Sequence, residues 1–212
     1  MITVWGRKTS SNVQIAMWAI GELGLEHERI DWGGAFGGND EPDYRAMNPN
    51  GLIPTVKDGD LVVWESAAIL RYLGARYGDG DFWPTDPAAR APLDMWAEWV
   101  KTSLAPVLTL KVFWQLVRTR AAERDHGLVT EGAAALKQLT ALADVRIGDG
   151  PYLNGAHLCF ADIMLGHVLY RYYTLDFERG ETPNLDAYYA RLQERPAFRE
   201  HAMVSYDSLR VD

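Results

Sequence analysis

Four consecutive polar side chains, Thr9-Ser10-Ser11-Asn12, stand where the first strand pattern of the chain gives way to the first helical pattern. Ser, Thr and Asn are preferred at a helix N-cap, where a side-chain oxygen accepts a hydrogen bond from a backbone N–H group. A helix N-terminus also favours an anion, including a thiolate, and a hydroxyl beside it can donate a hydrogen bond to the sulfur. Position alone favours the plain cap over the catalytic role.

A second group with possible chemistry is centred on Pro54, in the segment 50–56 (NGLIPTV). A proline that opens a strand after a turn can simply protect the edge of a sheet. Alternatively, it forms a cis peptide bond that fixes the preceding backbone for binding a peptide. The sequence does not distinguish the two isomers, so both interpretations stay open.

The third group is Glu65-Ser66, at the entry to another helical pattern. Ser66 is a natural N-cap, and the free N–H groups of a helix start can hold a carboxylate. Glu65 beside it would suit an ammonium group. A carboxylate site next to an ammonium site would suit the α-amino acid end of a ligand. The simpler interpretation is a plain cap with an exposed glutamate.

The elements that must position these groups are those of a small mixed sheet. The β-prone runs 2–5 and 27–31 have a helical pattern between them, which predicts parallel strands joined by a right-handed crossover. Asp58-Gly59 between two short apolar runs indicates a hairpin, and its strands must be antiparallel. A helical pattern follows at 65–77. The other predicted elements are a helix at 42–47 and strands at 55–57 and 61–64.

A polar linker at 79–86 divides the chain, because the strand patterns end before it. After it come stretches of helical composition, at 87–120, 133–146, 159–173 and 183–194. The sequence therefore predicts an α/β domain at 1–78 and an all-α domain at 87–212.

Bulk properties exclude several classes of function. The chain has 212 residues and a formal net charge of −8, and none of its 21 basic residues forms a run, which disfavours nucleic acid as a partner. Cys159 is the only cysteine, so an internal disulfide and a Cys-x-x-Cys redox pair are excluded. No pair of histidines is spaced i, i+4, so no metal site is predicted. We see no secretory signal or membrane helix and expect a cytoplasmic protein.

Taken together, the three groups and the helical half that follows resemble the glutathione S-transferase superfamily over nearly the whole chain. The matching residues are Ser10-Ser11-Asn12, then Asn48-Pro49-x-Gly51-x-Ile53-Pro54, then Glu65-Ser66-x-Ala68-Ile69-x-x-Tyr72-Leu73. Ala161-Asp162-Ile163 is similar to the buried helix-capping segment of that family. The resemblance implies a thioredoxin-like N-terminal domain followed by a helical-bundle C-terminal domain. Cys159 stands where the capping segment has Ser or Thr, so Asp162 is expected to carry more of that helix start.

The resemblance also implies a glutathione site in the first domain. The proline matching Pro54 is cis in this family, and the backbone at Ile53 pairs with the cysteinyl unit of glutathione. The residues matching Glu65 and Ser66 hold the γ-glutamyl amino and carboxylate groups. Glutathione is thus the implied co-substrate, and no metal is implied.

The residue that activates the thiol maps to the start of the first helix. The hydroxyl corresponds to Ser10 or Ser11, and in bacterial relatives with a Thr-x-Asn arrangement the matching positions are Ser10 and Asn12. No Tyr or Cys occupies this place, which argues against the tyrosine-type classes and against a glutaredoxin-like cysteine mechanism. Of these residues, we expect Ser10 first as the one that activates the thiol, Asn12 second, and Ser11 close behind.

The second substrate is expected to bind against the long helical stretch after the linker. In the family this stretch lines a pocket for a hydrophobic electrophile, and Phe113, Trp114 and Val117 are the candidates here. Core packing is the alternative role for such aromatic residues. Arg118 could meet an acidic substrate, although a solvated helix face is the simpler role.

The resemblance predicts a glutathione transferase that stabilises the glutathione thiolate and transfers it to a small hydrophobic electrophile, in a detoxifying role. Glutathione-dependent disulfide reduction is a possible additional reaction of the same thiolate. Two alternatives stay open. One is a zeta-like isomerase, whose Ser-Ser-Cys motif the chain matches except at Asn12. The other is a catalytically inactive binding or assembly module. The family also implies a homodimer.

Overall fold

The computed structural model describes residues 1–211, and its sheet has the strand order β2-β1-β3-β4. β1 (Ile2–Trp5) pairs in parallel with β2 (His27–Ile30) and antiparallel with β3 (Thr55–Asp58). β3 turns through the predicted hairpin into β4 (Leu61–Trp64). Along β1, buried residues alternate with half-buried ones, because successive side chains of a strand point to opposite faces.

Three helices belong to this half of the chain: α1 (Ser11–Glu22), α2 (Pro42–Met47) and α3 (Ser66–Tyr77). In α1, every residue from Val13 to Ile20 is buried. A helix that is buried all round must be covered on every side. α3 packs against α1, and helices from the second half of the chain also pack against it.

After β4 the described residues add no further strand to the sheet. From Pro87 to Arg118 the backbone is helical, with the wider turns of a π-helix at Val100–Leu104 and Val107–Arg118. The α/β plus all-α architecture is therefore confirmed. The helices of the second half are α4 (Pro87–Trp99), α5 (His126–Ile147), α6 (Phe160–Gly166), α7 (Leu169–Thr174), α8 (Pro183–Gln193) and α9 (Pro196–His201).

Trp18 of α1 joins the two halves of the chain. Its indole is fully buried and meets the Phe198 ring edge-on, with the ring centroids 4.8 Å apart. A Cβ atom on Gly166 would lie 2.5 Å from Trp18 Cη2 and 2.8 Å from Leu192 Cδ1. Because real Cβ atoms do not approach so closely, only glycine allows α6 to lie this near α1.

The start of α6 depends on the buried carboxylate of Asp162. Its Oδ1 accepts hydrogen bonds from Leu153 N (2.9 Å) and the Tyr188 hydroxyl (2.9 Å), and its Oδ2 accepts one from Cys159 N (2.8 Å). Cys159 at the N-cap is fully buried. The expectation that Asp162 carries this helix start is confirmed.

The structure corrects several element boundaries. α5 begins at His126, seven residues before the predicted 133, since the Asp125 side chain accepts a hydrogen bond from Leu128 N and caps it there. The predicted helix at 159–173 is two helices, separated by a turn at 167–168. α9 was not predicted. Asp212, the last residue of the predicted second domain, lies outside the described residues.

Candidate active site

Ser10 is the N-cap residue of α1. Its backbone is extended (φ −81°, ψ 122°), and its carbonyl oxygen accepts the hydrogen bond from Gln14 N at 3.0 Å. Its side chain makes no capping hydrogen bond. The plain-cap interpretation is therefore wrong for Ser10. Its hydroxyl is half-buried at a helix N-terminus and available as a donor.

Asn12 and Ser66 link the first turn of α1 to the first turn of α3. The hydroxyl of Ser66, a buried residue, donates to Asn12 Oδ1 at 3.2 Å. Both residues line two adjoining cavities, one of about 50 Å³ beside Pro54 and one of about 290 Å³ that Ser11 also lines. Ser10 precedes Ser11 along the chain and forms no part of either wall. The fold thus brings the first and third groups together.

The loop before β3 contains the cis peptide bond Ile53–Pro54, as the resemblance implies. The carbonyl oxygen of Leu52 accepts hydrogen bonds from the Tyr44 hydroxyl (2.6 Å) and Asn48 Nδ2 (2.8 Å). Tyr44 and Asn48 are both buried. Within residues 1–211, the backbone N–H and C=O groups of Ile53 have no hydrogen-bond partner. Free backbone donor and acceptor groups are what an added peptide segment needs for pairing.

Tyr44 and Asn48 hold this loop by hydrogen bonds, and the sequence analysis assigned a role to neither. Both also bond to the buried Thr55 Oγ1, at 2.9 Å and 3.0 Å, so they anchor the loop on the strand that follows it. Asn48 is within the quoted motif, but its hydrogen bond to Thr55, seven residues away, forms only in the folded loop and follows no regular spacing. Their role is to hold the Ile53 backbone in place.

Glu65 precedes α3 with φ 68° and ψ 116°, and no other residue of 1–211 except glycine has a positive φ. Such a conformation costs of order 1–3 kcal/mol and persists where the surroundings impose it, often at functional sites. Its half-exposed carboxylate points across to the second half of the chain, where Lys101 Nζ lies 3.2 Å from Oε2. The first N–H groups of α3, beside it, have no partner within the helix. Together, these groups can hold the two charges of an α-amino acid.

The predicted second-substrate residues need correction. Phe113 and Val117 are 2% and 0% exposed, so they pack in the core and do not line the cavities at Ser66. Trp114, on the same helical segment, is exposed. The wall of the larger cavity instead includes residues that precede Phe113 on the same helical stretch, and residues of α6 and of the turn after it. These are Lys101, Ala105, Pro106, Thr109, Leu110, Met164 and His167.

His167 lines this larger cavity and is buried. Its Nδ1 lies 2.6 Å from the carbonyl oxygen of Met164, so Nδ1 carries the hydrogen of a neutral ring. Burial is the main cause that lowers its pKa from 6.5 to about 4, and the charge of Arg171 acts in the same direction.

We expect His167 to make the protein sensitive to acid. Between pH 6.5 and pH 4 this histidine binds a proton in the unfolded chain but not in the folded protein. Unfolding therefore becomes more favourable as the pH falls. At pH 5 this effect lowers the free energy of unfolding by about 2 kcal/mol. Denaturant titrations at pH 7 and pH 5 should show that loss in the wild type and not in His167→Asn.

The exposed His126 provides the matched control, since His126→Asn removes a histidine without emptying a buried position. That variant should lose as much stability as the wild type between the two pH values. Equal losses in wild type and His167→Asn would contradict the assignment to His167.

Cys159 is not a candidate nucleophile. Burial is the main cause that raises the pKa of its thiol well above the ordinary value, so the thiol stays protonated at neutral pH. Residues 1–211 contain no group of three or more His, Cys, Asp or Glu side chains that could hold a metal ion. In the same part of the chain, each helix is too short or too polar to cross a membrane.

Comparison with known families identifies this arrangement. The model of the glutathione S-transferase N-terminal domain matches residues 1–75, and that of the C-terminal domain matches residues 105–196. The chain belongs to the glutathione S-transferase family.

Individual relatives match along nearly the full chain. Glutathione S-transferase GstB of Escherichia coli K12 is 36% identical over 206 residues, which are 96% of this chain and 99% of that protein. The theta class glutathione S-transferase of Xanthomonas axonopodis pv. citri, solved with glutathione bound, is 46% identical with a TM-score of 0.90, covering 96% of this chain and 98% of that one. Glutathione S-transferase F14 of Arabidopsis thaliana is 28% identical over 92% of this chain and 78% of its own length.

Proposed function

We propose that this protein is a glutathione transferase that binds glutathione between α1, the cis-proline loop and α3. It stabilises the thiolate and transfers it to a small hydrophobic electrophile. The observation that carries the proposal is the unpaired Ile53 backbone, since Ile53 lines one cavity together with Glu65 and Ser66. Ser10, at the start of the helix whose Asn12 lines the same cavity, makes no capping hydrogen bond with its side chain. The names of the relatives and the glutathione bound in the Xanthomonas enzyme support it.

Each part of glutathione has a place in this arrangement. The γ-glutamyl ammonium group binds Glu65, and the carboxylate binds Ser66 and the N–H groups at the start of α3. The cysteinyl unit pairs with the backbone of Ile53, since that edge has free donor and acceptor groups. The sulfur then lies at the N-terminus of α1, where the Ser10 hydroxyl donates to it.

These interactions are of the size that thiolate formation requires. A free thiol has a pKa of about 8.5, and lowering it by two units takes about 2.7 kcal/mol. A hydrogen bond to a charged group contributes about 1.5–3 kcal/mol, and a helix N-terminus about 0.3–1 kcal/mol. The thiolate attacks the electrophilic carbon, a carbon–sulfur bond forms, and the leaving group departs with its electron pair.

The organisation of the protein is part of the proposal. We assign glutathione to a domain at 1–78, a linker to 79–86 and the second substrate to a helical domain from residue 87 onward, with exposed Trp114 facing that substrate. The family relationship supports a homodimer located in the cytoplasm.

The experiment that tests the function is an ultraviolet titration of bound glutathione across pH, followed by turnover of 1-chloro-2,4-dinitrobenzene. We expect the thiolate absorbance to appear with a pKa about two units below that of free glutathione. S-Methylglutathione, which has no thiol, is the matched control and should bind without titrating. If glutathione binds but remains a thiol up to its ordinary pKa, the protein is a binding module.

Replacing Glu65 should separate binding from stability. Glu65→Gly is expected to raise the unfolding free energy by about 1 kcal/mol, because glycine adopts a positive φ without steric cost. The same change should weaken glutathione binding about tenfold, because the ammonium group loses its carboxylate. Isothermal titration and denaturant unfolding measure the two effects.

Glu65→Ala is the matched variant, since it removes the carboxylate but keeps the backbone strain. It should weaken binding to the same extent without any gain in stability. If both variants bind glutathione like the wild type, Glu65 does not hold the ammonium group.

A further inference from the structure

Two arginines donate hydrogen bonds to Thr9, the residue immediately before Ser10. Arg7 Nη1 donates to Thr9 Oγ1 at 2.8 Å, and Arg171 Nη2 donates to the Thr9 carbonyl oxygen at 2.8 Å. The charge of Arg118, on the π-type segment, acts on both of these guanidinium groups. We name Arg7, Arg118 and Arg171 the arginine cluster.

Within the part of the chain that the structure describes, the arginine cluster has no acidic partner at ion-pair distance. No carboxylate of residues 1–211 lies within 4.0 Å of a guanidinium nitrogen of any of its members. Two other half-buried arginines do contact carboxylates: Arg71 contacts Asp94 and Glu98, and Arg195 contacts Glu22. The arginine cluster instead places three positive charges without such a partner in a protein whose formal net charge is −8.

Burial makes this lack of partners more significant. Arg171 is only 6% exposed. Burial first, and then the charges of Arg7 and Arg118, lower its pKa to about 10, and burial together with Arg118 lowers the pKa of Arg7. These cations repel one another, and Arg171 among them is poorly solvated, so the arginine cluster favours the binding of an anion.

The surroundings of the arginine cluster are aromatic. The Phe113 ring lies under Arg171, with 4.2 Å between its centroid and Cζ, and the exposed Trp114 ring lies 5.5 Å from Arg118 Cζ. A ligand at Arg118 meets positive charge beside the exposed face of Trp114, whereas the buried Phe113 ring only supports Arg171. Because Thr9 adjoins Ser10, such a ligand lies next to the proposed position of the sulfur.

We propose that the arginine cluster binds the carboxylate of the second substrate, so that the preferred electrophiles are small apolar acids. This inference rests on the proposed transferase function and names its substrate class. The thiolate forms a carbon–sulfur bond to the reactive carbon of the acid, and the leaving group takes the electron pair of the bond that breaks. The arginines bind and orient the acid and exchange no proton.

Arg118 is the residue on which to test the proposal. It is exposed and makes no hydrogen bond within the described residues, whereas Arg7 and Arg171 also hold Thr9. Arg120 is the matched control, since it is exposed two residues beyond Arg118 and its charge is not among those that act on Arg7 or Arg171.

The experiment compares 4-(chloromethyl)benzoate with 4-(chloromethyl)benzamide, which share a leaving group and differ in charge. We expect the wild type to use the acid with a kcat/KM about five times that for the amide, and added salt to reduce this preference. Arg118→Gln should lower kcat/KM for the acid about fivefold and that for the amide less than twofold. Arg118→Lys, which keeps the positive charge, should retain part of the preference for the acid. Arg120→Gln should behave like the wild type.

Each opposing outcome points to a different error. Equal use of acid and amide by the wild type, or equal losses in Arg118→Gln and Arg120→Gln, would overturn the inference and leave the transferase function intact. A raised KM for glutathione in Arg118→Gln, with the preference for the acid unchanged, would assign the cluster to the glycyl carboxylate of glutathione instead. Failure of the bound thiol to ionise would remove the transferase function itself.

Discussion

Ser10→Ala is expected to raise the pKa of the bound glutathione thiol by about 1.5 units, because the thiolate loses a charge-assisted hydrogen bond of about 2 kcal/mol. At pH 7 most of the bound thiol would then be protonated, so kcat/KM should fall about tenfold. Above pH 9 both proteins hold thiolate, and the difference should shrink. A pH–rate profile, with the ultraviolet titration beside it, measures both effects.

Ser11→Ala is the matched control for this experiment, since it removes the neighbouring hydroxyl. Ser10→Thr keeps a hydroxyl and should retain most of the thiolate. Because the Ser10 side chain does not cap α1, Ser10→Ala should unfold at the same denaturant concentration as the wild type. The assignment fails if Ser11→Ala shifts the thiol pKa and Ser10→Ala does not.

Asp162→Ala is expected to lower the free energy of unfolding by about 4 kcal/mol, because three buried donors lose their acceptor at once. For a chain of this length the corresponding fall in Tm is of order 10 °C. Asp162→Asn should cost less, since its amide oxygen can still accept the two hydrogen bonds made by Oδ1. Its amide nitrogen would face Cys159 N, donor against donor.

Asp144 provides the matched control, because its carboxylate also caps a helix. It accepts hydrogen bonds from Asn184 N (2.7 Å) and Leu185 N (2.9 Å) at the start of α8, but it is half-buried. Asp144→Ala should therefore cost only about 1 kcal/mol. Similar losses in the two alanine variants would show that burial of Asp162 adds nothing.

The sheet was predictable because its signals are local. The apolar run of β1 and the Asp58-Gly59 turn each specify their own structure within a few residues, and the observed β1 and β4 have the predicted bounds. The three groups with chemistry were recognisable as motifs for the same reason. Ser66 and Asn12 meet because strand order places both helix starts at one edge of the sheet.

The remaining features depend on contacts distant in sequence. Phe113 and Val117 were expected to face a ligand, but the wide turns of Val107–Arg118 change which side chains of a helix share a face, and a 3.6-residue period cannot anticipate that. The arginine cluster assembles from residues 7, 118 and 171, so no window of sequence contains it. Tyr44 and Asn48 acquire their role only when the loop they hold has formed.

The contact between Trp18 and Gly166 constrains the order in which this chain can change over evolution. Any side chain at position 166 collides with the indole, so such a substitution is harmful while Trp18 remains. A smaller residue at position 18 would first leave a cavity and a less stable protein, into which a residue larger than glycine could later fit. The two positions should therefore vary together among relatives, with the change at position 18 coming first.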